Sequence, residues 1–222
     1  MDVLVISTHP DDETLGCGGT LLKHRAAGSK LFWLVATEAH EPRWSAEVIE
    51  RKAVEVQSVA KAYGVEQCFK LGLPTVMLDT LPQDNLIGKI RDVVDRVKPE
   101  VVYLVHGGDV HTDHKAVFTA TMSVLKPFYM SRLGVRRVLC YETLSSTEAA
   151  PPQHDWAFVP NVFSDVSPYL ENKLEIMGLY ATEIQEELLP RGLSAIRALA
   201  RYRGATVGVE YAEAFQLVRE LV

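Results

Sequence analysis

A single α/β domain, with a mostly parallel sheet between layers of helices, is the fold this sequence predicts. Three observations lead there. Short, uninterrupted apolar runs recur along the chain, as strands covered on both faces do. Segments with helical period fall between them. The length of 222 residues, 47% hydrophobic and 23% charged, suits one large domain with its own core.

Val3-Leu4-Val5-Ile6 reads as the first strand, and a polar loop, His9 to Glu13, follows it. Thr14 to Ala27 reads as a helix with Leu15, Leu21 and Leu22 on its apolar side, stopped by Gly28. Leu31 to Ala36 is a second buried strand, and His40 to Trp44 a loop. Ser45 is a candidate N-cap for a helix running to Tyr63, with Gly64 as its stop. Gln67 to Leu71 is a third strand. In the next segment Ile87, Ile90, Val94 and Val97 share one helical face, and Pro99 ends the helix. Val101 to Val105 is the fourth strand, and Gly107-Gly108 turns the chain toward a helix from Asp113 to Leu125. Val138 to Tyr141 is the fifth strand.

Alternating strands and helices give a parallel sheet with helices on both faces, a Rossmann-like three-layer sandwich. The pattern blurs after Glu142. Pro151-Pro152 marks a loop, Asn161 to Val166 a further strand, Pro168 to Glu187 a helix, and Pro190 the start of one more. With no repeat and no dividing linker, residues 1–222 read as one domain.

The net charge of −6, without a basic block, argues against a nucleic-acid partner. Cys17, Cys68 and Cys140 are widely spaced and form no CxxC pair, which suggests a reducing compartment and packing roles. Cys17 stands near the first polar cluster, so its thiol is of interest. Met1 to Ile6 is too short for a signal peptide, and no run reaches the ~18 apolar residues of a membrane span. A cytoplasmic protein with no membrane span is expected.

Sites in open α/β sheets lie at the carboxyl ends of strands. His9-Pro10-Asp11-Asp12 follows the first strand, and His111-Thr112-Asp113-His114 follows the fourth. Both clusters therefore converge on one rim. His9 and Asp12 can share one ion, and a histidine of the second cluster can complete a two-His, one-carboxylate set. Three protein ligands leave a position for water, as in a catalytic zinc site, and zinc lowers the pKa of that water to about 7. Two histidines and a carboxylate also suit Fe2+. Asp11 is then the candidate general base. Whichever of His111 and His114 is not a ligand can stabilise an oxyanion or protonate the leaving group, with Asp113 orienting it.

Blander readings stand beside these. Asp113 can cap the following helix, and Pro10 can merely shape a turn. Gly16, Gly18 and Gly19 suit either close approach to a ligand or close helix packing. His24, His40, His106 and His154 read as surface or core residues. Trp44 and Trp156 can stack on a sugar or pack at a rim.

The run His9-Pro10-Asp11-Asp12-Glu13-Thr14-Leu15-Gly16-Cys17-Gly18-Gly19-Thr20 resembles the opening motif of the LmbE-like, or PIG-L, zinc-dependent de-N-acetylases. His111-Thr112-Asp113-His114 resembles their His-x-Asp-His motif. Supporting matches are Arg51, Glu55, Ala60 and Gly64; Phe158-Val159-Pro160, Asp165-Val166-Ser167 and Lys173; and Gly208 to Phe215. By this resemblance His9, Asp12 and His114 would ligate zinc and Asp11 would be the base. His111 would be the second acid/base or oxyanion group, with Asp113 behind it, and Arg51 would contact substrate. The resemblance implies hydrolysis of an N-acetyl group, often on an N-acetylglucosamine unit, in a small molecule or glycoconjugate, and favours a homo-oligomer. Neither GxGxxG after the first strand nor GxxxxGK[ST] occurs, which weighs against a nucleotide-binding module. The loops around Glu38–Trp44, Leu73–Asp84 and Leu144–Asp155 carry no pattern that names the substrate.

Overall fold

The computed structural model describes residues 1–151 and 157–222. Seven strands form one sheet: β1 (Asp2–Ser7), β2 (Lys30–Glu38), β3 (Gln67–Pro74), β4 (Val101–Val105), β5 (Arg137–Tyr141), β6 (Val162–Asp165) and β7 (Ala212–Glu220). Their spatial order is β3-β2-β1-β4-β5-β7-β6. The first five are parallel, and β7 runs antiparallel to both β5 and β6.

Helices α1 (Asp12–Ala26), α2 (Ala46–Tyr63), α3 (Gln83–Val97), α4 (Thr112–Val124), α5 (Pro127–Leu133), α6 (Leu170–Met177) and α7 (Leu193–Ala205) flank the sheet. They pack in two groups: α1 with α2 and α6, and α6 with α7, against a separate pairing of α3 with α4. The expected α/β sandwich is thus the observed one. Burial explains the central strands, since every residue of β4 is buried and only Asp2 of β1 is not. Ser45 accepts the Val48 N–H and caps α2, while Gly64 closes it at φ 63 in the left-handed region.

Three departures have local causes. The helix expected from Pro168 to Glu187 stops at Met177. Beyond Gly178 the chain turns inward, so that Tyr180 is buried with its hydroxyl donating to Glu13 at 2.7 Å. Residues Ala212–Glu220, of which only Ala212–Phe215 were read, as part of a motif, form the strand that joins β5 to β6. Helix α5 was not anticipated; Pro127 opens it and Gly134, at φ 80, ends it.

Helix α1 is broken at Cys17, whose φ −144 and ψ 18 are not helical. A buried ion pair holds the break. Lys173 Nζ donates to the Leu15 carbonyl at 2.9 Å, at the end of the first half. Glu213 accepts the Gly19 and Thr20 N–H groups at 2.8 and 2.7 Å, at the start of the second. The two side chains meet at 2.7 Å. Close packing accounts for the nearby glycines: a Cβ on Gly16 would lie 2.0 Å from the Tyr141 ring, and one on Gly19 2.8 Å from Val166. The Cys17 thiol is fully buried, and burial pushes its pKa up, so it packs rather than reacts. Among the described residues, no helix is long and apolar enough to cross a membrane.

Candidate metal centre

Chain order puts β2 on one side of β1 and β4 on the other, so the strand order reverses between β1 and β4. The crevice at such a switch point is where open α/β sheets bind ligands. The loop after β1 carries His9 to Asp12, and the turn after β4 carries His111 to His114. A cavity of about 660 Å³ opens above them, lined by His9, Asp11, Asp12, His111 and His114 among others.

Asp12 opens α1 and folds back on its own loop. Its Oδ2 accepts the N–H groups of Thr8 and His9 at 2.9 and 2.8 Å. Its Oδ1 lies 3.4 Å from His114 Nε2. His9 Nδ1 is 3.2 Å from the same His114 nitrogen and 3.8 Å from Asp12 Oδ2. Donors about 2.0–2.2 Å from a tetrahedral ion stand about 3.4 Å apart, so the separations of His114 Nε2 from His9 Nδ1 and from Asp12 Oδ1 are those of donors to a common ion.

Carboxylates fix both rings from behind. His9 Nε2 lies 3.1 Å from Asp113 Oδ2, so the Nδ1 lone pair faces the cluster. His114 Nδ1 lies 3.0 Å from Asp109 Oδ2, within ion-pair range but out of line for a hydrogen bond, and its Nε2 faces the cluster. Burial works against a charged His114, yet Asp12, Asp109 and Asp113 raise its pKa. Burial likewise opposes charge on Asp113, but hydrogen bonds from His9, Leu78 and Val76 bring its pKa below the usual carboxylate value. A buried, carboxylate-rich pocket with two lone pairs aimed at one point suits a divalent cation.

His111 caps α4, its Nδ1 accepting the Asp113 N–H at 3.2 Å. Burial, then His9 and His114, push its pKa down to about 4. A neutral imidazole accepting at Nδ1 carries its proton on Nε2, so His111 presents a donor. His9, His111 and His114 also bring ligand nitrogens within 4.8 Å of one another. His9 and His114 are thus common to both groupings, and Asp12 or His111 makes the third member.

Asp11 lines the cavity at φ 113, a conformation rare for a residue with a side chain. Its N–H donates to Glu13 Oε2 at 3.3 Å. Burial, then Asp12, raises its pKa well above that of a free aspartate, which favours a group that takes up a proton.

Two expectations change. Asp113 was expected behind His111, but its carboxylate reaches His9 and the backbone of Val76 and Leu78 instead, because His111 turns toward its own helix end. Arg51 was expected at the substrate, but it sits on the exposed face of α2, 3.3 Å from Glu47, away from the cavity lining. Arg191 lines the cavity, 4.0 Å from Asp11 Oδ2 and donating to Ser145 at 3.3 Å. Asp109 was missed. It is fully buried and also accepts the His111 N–H and the Ser146 and Thr147 hydroxyls, at 2.8 to 2.9 Å. Its place beside Gly107-Gly108, two residues before His111, was the available signal. His106 and His24 make local contacts, with the Gly108 N–H and the Tyr103 hydroxyl. Trp44 lines the cavity, whereas His154 and Trp156 lie outside the described residues.

The family model described as GlcNAc-PI de-N-acetylase, PIG-L, matches residues 4–125. The uncharacterized deacetylase YaiS of Escherichia coli is 28% identical over 170 residues, covering 74% of this chain and 81% of its own. The diacetylchitobiose deacetylase of Thermococcus kodakarensis is 26% identical over 228 residues, covering 97% of this chain and 82% of its own. The crystal structure of conserved protein TT1542 from Thermus thermophilus superposes with a TM-score of 0.78 at 25% identity, covering 100% of this chain and 96% of that one. On the family model and on motifs that meet at one switch point, this chain belongs to the PIG-L, or LmbE-like, deacetylase family.

Proposed function

We propose that this protein is a metal-dependent amide hydrolase that removes the N-acetyl group from an N-acetylglucosamine-type amino sugar, free, in a glycoconjugate or in a nucleotide sugar. The observation that carries the reading is the pair of histidines, each backed by a carboxylate, aiming lone pairs at one point beside Asp12. Family membership and the diacetylchitobiose deacetylase relative support the substrate class.

His9, Asp12 and His114 would hold zinc, and Fe2+ would suit the same donors. Bound there, the ion supplies Lewis-acid polarisation and makes water acidic near neutral pH. Asp11 takes a proton from water as the water oxygen adds to the amide carbon. The Nε2–H of His111 donates a hydrogen bond to the carbonyl oxygen as negative charge grows there. The C–N bond then breaks, and Asp11 returns the proton to the departing nitrogen, giving acetate and a free amine. Asp113 and Asp109 hold His9 and His114, and Arg191 braces the Asp11 side of the cavity. Three free cysteines favour a reducing compartment, and we place the protein in the cytoplasm.

The test is acetate release from N-acetylglucosamine and diacetylchitobiose by zinc-loaded protein and by Asp11→Ala. The variant is expected to keep its zinc and lose roughly 100- to 10,000-fold in rate, the usual reach of a general base. Normal turnover by Asp11→Ala would overturn the role of Asp11. Release from non-sugar acetamides alone would overturn the substrate class.

A further inference from the structure

Asp11 stands at the N-terminal boundary of α1 and does not cap it. A capping aspartate has extended backbone, and its carboxylate accepts an N–H of the first turn. Asp11 has φ 113 and ψ −31, and its side chain caps nothing. Its carboxylate is buried along the cavity instead, with Arg191 4.0 Å away. A residue with a Cβ keeps such a conformation only where its surroundings over-determine it.

The donors of the loop show what holds it. Thr8 and His9 give their N–H groups to Asp12, and Pro10 has none. That leaves the Asp11 N–H, whose acceptor among the described residues is Glu13 Oε2, at 3.3 Å. Glu13 lies in the first turn of α1, where an acidic side chain commonly sits at the surface beside the helix end. Here it is only 1% exposed. Its Oε1 accepts the Thr14 and Tyr180 hydroxyls, each at 2.7 Å. Thr14 in turn accepts the Tyr63 hydroxyl at 3.0 Å. Thr14, Tyr63 and Tyr180 are all fully buried. Residues of α1, of α2 and of the chain after α6 thus converge on one carboxylate, whose other oxygen faces the Asp11 backbone. A buried polar network with its bonds made is rigid.

We infer that Glu13, fixed by the Tyr180 hydroxyl, is a positioning residue for Asp11: it sets the backbone conformation that turns the Asp11 carboxylate into the cavity. This rests on the reading of Asp11 as the base. Glu13 acts as a hydrogen-bond acceptor for the Asp11 N–H, not as a charge. An amide oxygen in the place of Oε2 would serve as well, because the Thr14 and Tyr180 hydroxyls can accept as well as donate.

The test compares the full-length, zinc-loaded protein with its Glu13→Ala, Glu13→Gln and Tyr180→Phe variants. It reads kcat and KM on diacetylchitobiose, zinc affinity by chelator competition, and the crystal structure of each metal-free form. Glu13→Ala is expected to lower kcat about 100-fold and Tyr180→Phe about 10-fold, the reach of a misplaced catalytic group. KM and zinc affinity should stay within about threefold, a split that general loosening of the fold would not give. Glu13→Gln should keep kcat within about fivefold of the parent, because it retains the acceptor. An unchanged kcat in Glu13→Ala, a Glu13→Gln as slow as Glu13→Ala, or a parallel loss of zinc would overturn the inference. Where Glu13→Ala does not fold, Tyr180→Phe, which loses a single oxygen, carries the same comparison. If the parent itself hydrolyses no acetamide, the deacetylase reading fails and the crystal structures decide alone. A negative Asp11 φ in the variant would then uphold the positioning role, and a φ still near 113 would overturn it.

Discussion

Replacing Glu213 by glutamine removes one charge from a pair that is almost wholly enclosed, with Lys173 and Glu213 both below 5% exposure. The glutamine oxygen can still accept from Gly19 and Lys173, but its NH2 must face the Thr20 N–H that the carboxylate now accepts. The ammonium is left buried without its countercharge. Breaking a buried pair on one side costs about 3–5 kcal/mol. In a chain of this length each kcal/mol moves Tm by about 2–4 °C, so Glu213→Gln should melt roughly 6–20 °C lower. Thermal and urea unfolding of the two single variants and the double variant Lys173→Met/Glu213→Gln complete the measurement. Because Lys173→Met removes the stranded charge, Glu213→Gln should cost at least about 1 kcal/mol less in that background. A Tm for Glu213→Gln within about 2 °C of the parent, or equal costs in both backgrounds, would refute the idea that this pair holds the break in α1.

Asp109→Ala removes the partner of His114 and should weaken zinc binding about 10- to 100-fold, as measured by chelator competition; unchanged affinity would count against its orienting role. Arg51→Ala should leave kcat/KM within about twofold, since an exposed pair such as Arg51 and Glu47 contributes little. Arg191→Ala should lower kcat/KM roughly 10- to 100-fold through misplacement of the Asp11 side of the cavity. Gly16→Ala drives a methyl into the Tyr141 ring and should cost about 3 kcal/mol in urea unfolding, at the upper end of overpacking.

Much of this molecule is written locally. Val3–Ile6 and Val101–Val105 are buried on both faces, so their apolar runs mark them as central strands without reference to the rest of the chain. The polar clusters that follow them inherit their position from those strands. Features that depend on distant segments meeting were harder to read. Strand β7 is buried at its start and half-exposed along its second half, and its partners lie on both sides in reverse direction, so no single periodicity announces it. Tyr180 belongs to an apolar pattern that looks helical, but its hydroxyl is drawn to Glu13 and the helix ends before it. Asp109 takes two of its hydrogen bonds from the Ser146 and Thr147 hydroxyls of a distant loop. That Arg191 lines the cavity while Arg51 does not depends on a return of the chain to the cavity rim that no motif encodes.

The most direct test of the account is a zinc titration of chelator-stripped protein, read by acetate release from an N-acetylglucosamine unit. The account predicts negligible activity without metal, full recovery at one equivalent, and no recovery in His9→Ala, Asp12→Ala or His114→Ala. Activity that survives complete removal of the metal, or that returns with zinc in all three variants, would contradict it.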